Sequence, residues 1–306
     1  MAGELKEDPS ALFDQVPSLS ALPRQVEPLP GGLTNRNYKV TVPGGTFVAR
    51  VFAAGGELLA INRDHEYRNT AAAAAAGAGA PVIDYRPDAG LLVIGYLEGR
   101  TLADADVAAP GTLPRIAATC RRLHEAAPFV NDFDIFTVQR SYLNVVQTGG
   151  FRFPAGYHRF LPRFEELRQA LAARPATPVP CHNDLLAGNL IDDGTRIWLI
   201  DYEYSGNNDP CFELGNIASE CHLPPDALDT LVTEYYGRPR RAKVARARLL
   251  GLAAAYGWTL WGAIQAATSP IDADFWSWAV EHCEAAAAGF TGPDFRRLLE
   301  EAQGDD

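Results

Sequence analysis

Lysine is scarce in this chain: Lys6, Lys39 and Lys243 are three of 27 basic side chains, set against 38 acidic ones for a formal charge of −11. That balance runs against a nucleic-acid or anionic-membrane surface, which needs a basic stripe, and suits a small cationic partner instead. Cysteine is thin as well. The five (Cys120, Cys181, Cys211, Cys221, Cys283) are odd in number and form no Cys-x-x-Cys pair, so neither a disulfide framework nor a zinc site is indicated and buried reduced thiols are expected. No apolar run reaches the roughly 18 residues of a membrane span. Met1 to Asp8 lacks the basic start and apolar core of a signal peptide, so a cytoplasmic protein is expected. Internal repeats are absent too. With 47% hydrophobic and 21% charged residues over 306 positions, the chain can bury a sizeable core in one large or two moderate lobes.

The most informative stretch is Cys181-His182-Asn183-Asp184-Leu185-Leu186-Ala187-Gly188-Asn189, followed by Trp198-Leu199-Ile200-Asp201-Tyr202-Glu203-Tyr204. It sets an Asp, an Asn and a second Asp in the order of a phosphoryl-transfer site. Such chemistry needs a carboxylate to orient or deprotonate the accepting hydroxyl, and hard oxygen ligands for magnesium. Asp184 suits the first task, Asn189 and Asp201 the second. Leu190-Ile191, a turn at Asp192-Asp193-Gly194 and Ile197 to Ile200 read as a β-hairpin, which would return Asp201 to the side of Asn189. Taken singly, each of these residues also fits a turn. Jointly, their spacing beside apolar strands points to a kinase.

Residues 1 to about 24 read as a short helix or arm packed on the body. From Arg24 to Ile94 the pattern is that of a small β-rich lobe: strands near Tyr38 to Val42 and Thr46 to Phe52, a helix from about Leu58 to Ala76, and a hairpin of Val82 to Tyr85 with Leu91 to Ile94. Gly95 to Gly99 looks like a hinge. Beyond it, helices are expected at Leu113 to Ala126, Pro162 to Ala173, Pro225 to Tyr236, Arg240 to Ala267 and Asp274 to Ala288. The division is therefore 1–95 for a nucleotide-binding lobe, 96–99 for the hinge and 100–306 for a helical lobe.

In the first lobe, Leu29 to Tyr38 sits between two early strands, where backbone amides near Gly32 and the side chains of Thr34 and Asn35 could line phosphates. A plain hairpin turn fits the two glycines equally. Phe47-Val48-Ala49-Arg50-Val51 resembles the strand bearing the phosphate-binding lysine of protein kinases, with Arg50 in its place. An always-charged fork can serve both a phosphate and a carboxylate. The proposed carboxylate is Glu66, which could otherwise be a solvated residue paired with Arg63 or Asn62. Adenine is expected on backbone groups of Tyr96 to Glu98.

With Gly31 to Tyr38, Arg50, Glu66, the hinge, His182 to Asn189 and Asp201 in one order, nearly the whole chain resembles the choline kinase and aminoglycoside phosphotransferase superfamily. Asp201 to Asn208, continuing through Phe212-Glu213-Leu214-Gly215-Asn216 to Glu220, is similar to the choline and ethanolamine kinase signature. Trp258-Thr259-Leu260-Trp261 resembles that family's helix with paired tryptophans, and Trp278 falls where the family has a tyrosine. The resemblance implies an α+β, protein-kinase-like fold with a small β-rich lobe and a larger, mainly helical one. It also implies an ATP- and Mg2+-dependent kinase acting on choline. Tyr204, Trp258, Trp261 and Trp278 would cage the ammonium group and Glu220 would supply charge, consistent with the strength of Trp as a cation–π partner. Trp258 and Trp261 could instead simply pack the core. Ethanolamine is the first rival acceptor, followed by another aminoalcohol, a thiamine-like cation or an aminoglycoside, and a non-catalytic amine-binding pseudokinase is the rival of another class. His182 is expected to brace its loop; whether Glu203 serves the metal or Arg50 is left open.

Overall fold

The computed structural model describes residues 9–53 and 55–304. Met1 to Asp8, on which the leader expectation rests, lies outside them. The first described element is a short helix, α1 (Ser10–Phe13), followed by strands β1 (Gln25–Leu29), β2 (Asn35–Val42) and β3 (Gly45–Phe52). Helix α2 (Arg63–Ala75) and the hairpin β4 (Val82–Arg86) and β5 (Leu91–Gly95) complete the smaller lobe. Its sheet is antiparallel throughout, in the order β1-β2-β3-β5-β4. Phe13, Val16 and Leu19 of the N-terminal arm join Val40, Ala49, Leu91 and Val93 in a small core on this sheet. Full burial of Phe13 alone contributes about 2 kcal/mol.

The expected helix at Leu58 to Ala76 needs correction at its start. Gly56–Leu59 form a separate 3-10 turn, Ala60 takes φ 57°, and α2 begins at Arg63 with the Asn62 side chain accepting from His65 N. The asparagine cap fixes the boundary because it satisfies an N–H that the helix itself cannot.

The larger lobe runs through β6 (Arg100–Thr101), α3 (Asp104–Val107), α4 (Thr112–His124), α5 (Ile135–Thr148) and α6 (Leu161–Ala172). After β7 (Val179–Cys181) come the hairpin β8 (Leu190–Asp192) and β9 (Ile197–Leu199), and then β10 (Gly206–Asn208). Helices α7 (Pro210–Glu220), α8 (Pro225–Tyr236), α9 (Arg241–Thr268), α10 (Phe275–Thr291) and α11 (Phe295–Glu301) follow. Helices α3, α5, α7 and α11 lie outside the helices expected from the pattern. Asp134 caps α5 through Phe136 N and Thr137 N, and Asp209-Pro210 opens α7, so the start signals were present in the sequence.

Helix α9 is buried on every side over Leu249 to Gln265, apart from the partly exposed Leu252, which makes it the axis of this lobe. Helix α7 crosses it backbone to backbone. A Cβ at Gly215 would lie 2.0 Å from Ala247 O, and one at Gly251 would lie 2.5 Å from Gly215 O, so only glycine allows this crossing. The contact brings the C-terminal end of α7, with Glu220, to the face of α9 that carries Trp258 and Trp261. Among the described residues, no helix is long and apolar enough to cross a membrane.

Candidate active site

Strand β7 delivers the chain into a tight loop whose shape is set by buried polar groups. Asn183, at φ 68°, donates through Nδ2 to the carbonyls of Cys181, Tyr204 and Gly206 at 3.1 to 3.3 Å, and its Oδ1 accepts from Asn208. Asparagine tolerates this left-handed geometry better than most residues. His182 Nε2 lies 2.7 Å from Ile200 O, and its Nδ1 accepts from Asp184 N at 3.3 Å. That pairing defines the Nε2–H tautomer, and burial lowers the imidazole's pKa further, so the ring is a neutral brace.

Beneath the loop, Glu213 of α7 accepts from His182 N and Asn183 N, each at 2.8 Å. Burial opposes its ionisation, but the hydrogen bond to His124 and the bond from His182 N hold the carboxyl below its ordinary value. His124, Cys181 and Glu213 have donor atoms within 4.8 Å of one another. Both Glu213 oxygens are committed to loop amides, so this buried cluster serves as scaffold.

Asp184 is half-buried at the end of the loop. Burial first, then the charges of Asp201, Glu220, Glu203 and Glu213, raise its pKa well above the ordinary carboxylate value. Asn189 donates through Nδ2 to Asp184 O at 2.8 Å, which leaves Oδ1 as the atom to face a cation. The hairpin pairs Leu190 with Leu199, and Ile200 N bonds Asn189 O at 3.0 Å, so the chain returns to Asn189 just before Asp201. Asp201 sits at φ 73°, a strained setting of the kind that clusters at functional sites.

Arg50 bonds both acids through one nitrogen, 2.8 Å to Glu66 and 2.5 Å to Asp201. Glu66 is 1% exposed and is also bridged by Arg63 at 2.7 Å. Burial opposes ionisation of Asp201, but the charge and hydrogen bond of Arg50 lower its pKa. Arg63, which sequence reasoning passed over except as a neighbour of Glu66, also reaches Glu203 at 3.1 Å and Asn35 Oδ1 at 2.8 Å. Glu203 further accepts from Thr34 at 2.7 Å and Asn35 at 2.9 Å. Glu203 is thus held by Arg63 and the Gly31–Asn35 loop, partners outside the two that the sequence left open for it.

Two expectations for that loop change. The Asn35 side chain is committed to Glu203 and Arg63 rather than turned to the pocket, whereas Gly31, Leu33 and Thr34 do line it. Gly32 owes its place to crowding: a Cβ there would sit 2.3 Å from Asn35 O. Tyr96 and Glu98 lie between β5 and β6, away from this pocket. Tyr96 N bonds Thr46 O at 3.1 Å, its ring lies beneath Lys39 Nζ at 4.2 Å, and Glu98 is exposed.

Asp184, Asn189, Asp201 and Glu203 share one pocket of about 300 Å³ with Tyr204, Glu220, Trp258, Trp261 and Trp278. Trp261 Nε1 donates to Tyr204 Oη at 2.9 Å, and Trp258 Nε1 donates to Asn216 at 3.1 Å. The Tyr204 and Trp258 rings meet edge to face at 5.1 Å, as do Trp261 and Trp278. These rings both pack the core and wall the pocket. The arrangement pairs oxygen ligands and a half-buried carboxylate with an aromatic, acid-lined recess suited to an organic cation.

Residues 25–250 match the model of the phosphotransferase enzyme family. Protein LicA of Haemophilus influenzae is 33% identical over 214 residues, which are 67% of this chain and 61% of LicA; the chain thus spans about three-fifths of that relative's length. A choline/ethanolamine kinase family protein from Mesorhizobium loti superposes with TM-score 0.85 at 31% identity, covering 96% of this chain and 97% of that one. Choline kinase LicA from Streptococcus pneumoniae, at 24% identity and TM-score 0.78 over 91% of this chain and 98% of its own, shares the fold. The α+β, protein-kinase-like architecture expected from the sequence, with a β-rich lobe and a larger helical lobe, is the one observed.

Proposed function

The chain belongs to the phosphotransferase enzyme family, and on that premise we propose that it transfers the γ-phosphoryl group of ATP to the hydroxyl of choline. The observation that carries this reading is a single one: Asp184, Asn189 and Asp201 line the same recess as Tyr204, Trp258, Trp261, Trp278 and Glu220. In this reading Asp184 accepts the proton of the attacking hydroxyl, and its raised affinity for protons suits a base. Asn189 Oδ1 and Asp201 present hard oxygens that fit Mg2+, whose charge, when bound, offsets that of the triphosphate. Arg50, held by Glu66, faces the phosphates. Residues 96–99 form the hinge between lobes 1–95 and 100–306, and the backbone of Tyr96 to Glu98 takes the adenine.

The aromatic walls favour a quaternary ammonium, which has no N–H to donate and binds through ring faces at up to about 2 kcal/mol or more per ring when desolvated. Ethanolamine is the rival acceptor, on the specific ground that Glu220 offers a carboxylate to a primary ammonium. The test is ADP release by the purified protein with ATP and Mg2+ across choline, ethanolamine, their methylated intermediates and several aminoglycosides. Preference for choline supports the reading. Activity on another acceptor keeps the phosphotransferase and discards the choline cage; silence with all, together with measurable choline binding, favours a sensor.

A further inference from the structure

One side chain touches two walls of the acceptor pocket without lining it. His282 of α10 stacks on Trp278 with ring centroids 3.6 Å apart and planes 28° apart. Its Nδ1 lies 3.0 Å from the Trp278 carbonyl oxygen, and its Nε2 lies 3.3 Å from Glu220 Oε1. A carbonyl oxygen only accepts hydrogen bonds, and so does an ionised carboxylate. With an acceptor at each ring nitrogen, both contacts are hydrogen bonds only if the imidazole carries two protons.

The surroundings support that state. The side chains of His282 and Glu220 are 11% and 7% exposed, so the pair is screened little by solvent. Burial works against the charge, but the bond and charge of Glu220 outweigh it and raise the pKa. Glu281 on the same helix adds to the effect, while α9 meets Trp278 with the uncharged Trp261.

We infer that His282 is a positioning residue that biases the pocket toward N-methylated over primary amines. This rests on the aminoalcohol reading above. As an imidazolium it occupies Oε1 of Glu220 and fixes the plane of Trp278. A primary ammonium carries three N–H donors and competes for that oxygen; a quaternary ammonium has none and needs ring faces. Holding the carboxylate therefore handicaps the primary amine, and holding the ring serves the methylated one.

The experiment compares wild type with His282→Leu and His282→Gln, using choline and ethanolamine as acceptors, and adds nitrogen-detected NMR of the imidazole at neutral pH. The expected result is a doubly protonated ring in the wild type. In His282→Leu the choline-to-ethanolamine ratio of kcat/KM should fall about tenfold, through a lower KM for ethanolamine and a higher KM for choline, as one charge-assisted hydrogen bond warrants. His282→Gln, which keeps one N–H donor for Glu220, should recover part of the ratio. An unchanged ratio, an equal rise in both KM values, or a singly protonated ring overturns the inference. If the wild type phosphorylates neither amine, it is the functional reading that fails. In that event, the protonation state and the relative binding of tetramethylammonium and methylammonium to wild type and His282→Leu decide the role of His282.

Discussion

Nη1 of Arg50 lies 2.5 Å from Oδ1 of Asp201, and the same nitrogen holds Glu66 at 2.8 Å. One guanidinium thus ties the β3 strand to helix α2 and to the residue that closes the β8–β9 hairpin. Arg50 is 7% exposed, so its removal leaves Asp201 without its bonded cation in a poorly solvated site. Arg50→Ala should cost about 3 kcal/mol in urea unfolding, near the low end for a broken buried pair because Arg63 still holds Glu66. It should also raise the KM for ATP. A loss below about 0.5 kcal/mol would place the pair among exposed bridges of little weight.

Asp184→Ala should lower kcat by roughly 10² to 10⁴, the range for loss of a general base, while leaving binding of the magnesium–ATP complex largely intact. Near-normal turnover would remove Asp184 from its proposed role. Parallel kinetics and nucleotide titration separate chemistry from binding.

Trp258 and Trp261 lie three residues apart on α9 and both face the recess. Trp258→Ala or Trp261→Ala should raise the KM for choline about tenfold or more, and that for ethanolamine less, since only the quaternary cation depends chiefly on ring faces. Equal effects on both acceptors, with a lowered melting temperature, would assign the rings to packing alone.

Burial, then the charge of Asp201, pushes the Glu203 carboxyl up to about 7 from an ordinary 4.5. A folded-state pKa above the unfolded one gives stability that is fully present below about 4.5 and is lost as pH rises to about 7. For the ligand-free protein, unfolding free energy should therefore fall across that window by at most roughly 3 kcal/mol from this group. Glu203→Gln should flatten that component. Urea denaturation of both proteins at pH 4.5, 6 and 7.5 checks it, and identical slopes would remove Glu203 as the source.

Local spacing made much of this legible. The run from His182 to Asn189, the hairpin turn and Asp201 lie within about twenty residues, and a period-2 pattern with a turn signal dictates where such a chain returns. The long α9 was equally plain, because apolar residues all round leave a helix no place but the core. The caps of α5 and α7, Asp134 and Asp209-Pro210, are local signals of the same kind.

What the sequence by itself determined is which polar and aromatic residues the local elements present: Asp184, Asn189 and Asp201 on one loop and hairpin, Arg50 on a strand, two tryptophans on one helix face. Only the tertiary structure decided the partners. Arg63 reaches Glu203 across 140 residues, Thr34 reaches it across 169, Glu213 seats the loop amides from a helix beyond the hairpin, and His282 stands behind Trp278 and Glu220. No periodicity encodes such pairs, because a buried charge is satisfied by whatever donor the packing brings within about 3 Å, however far along the chain that donor lies.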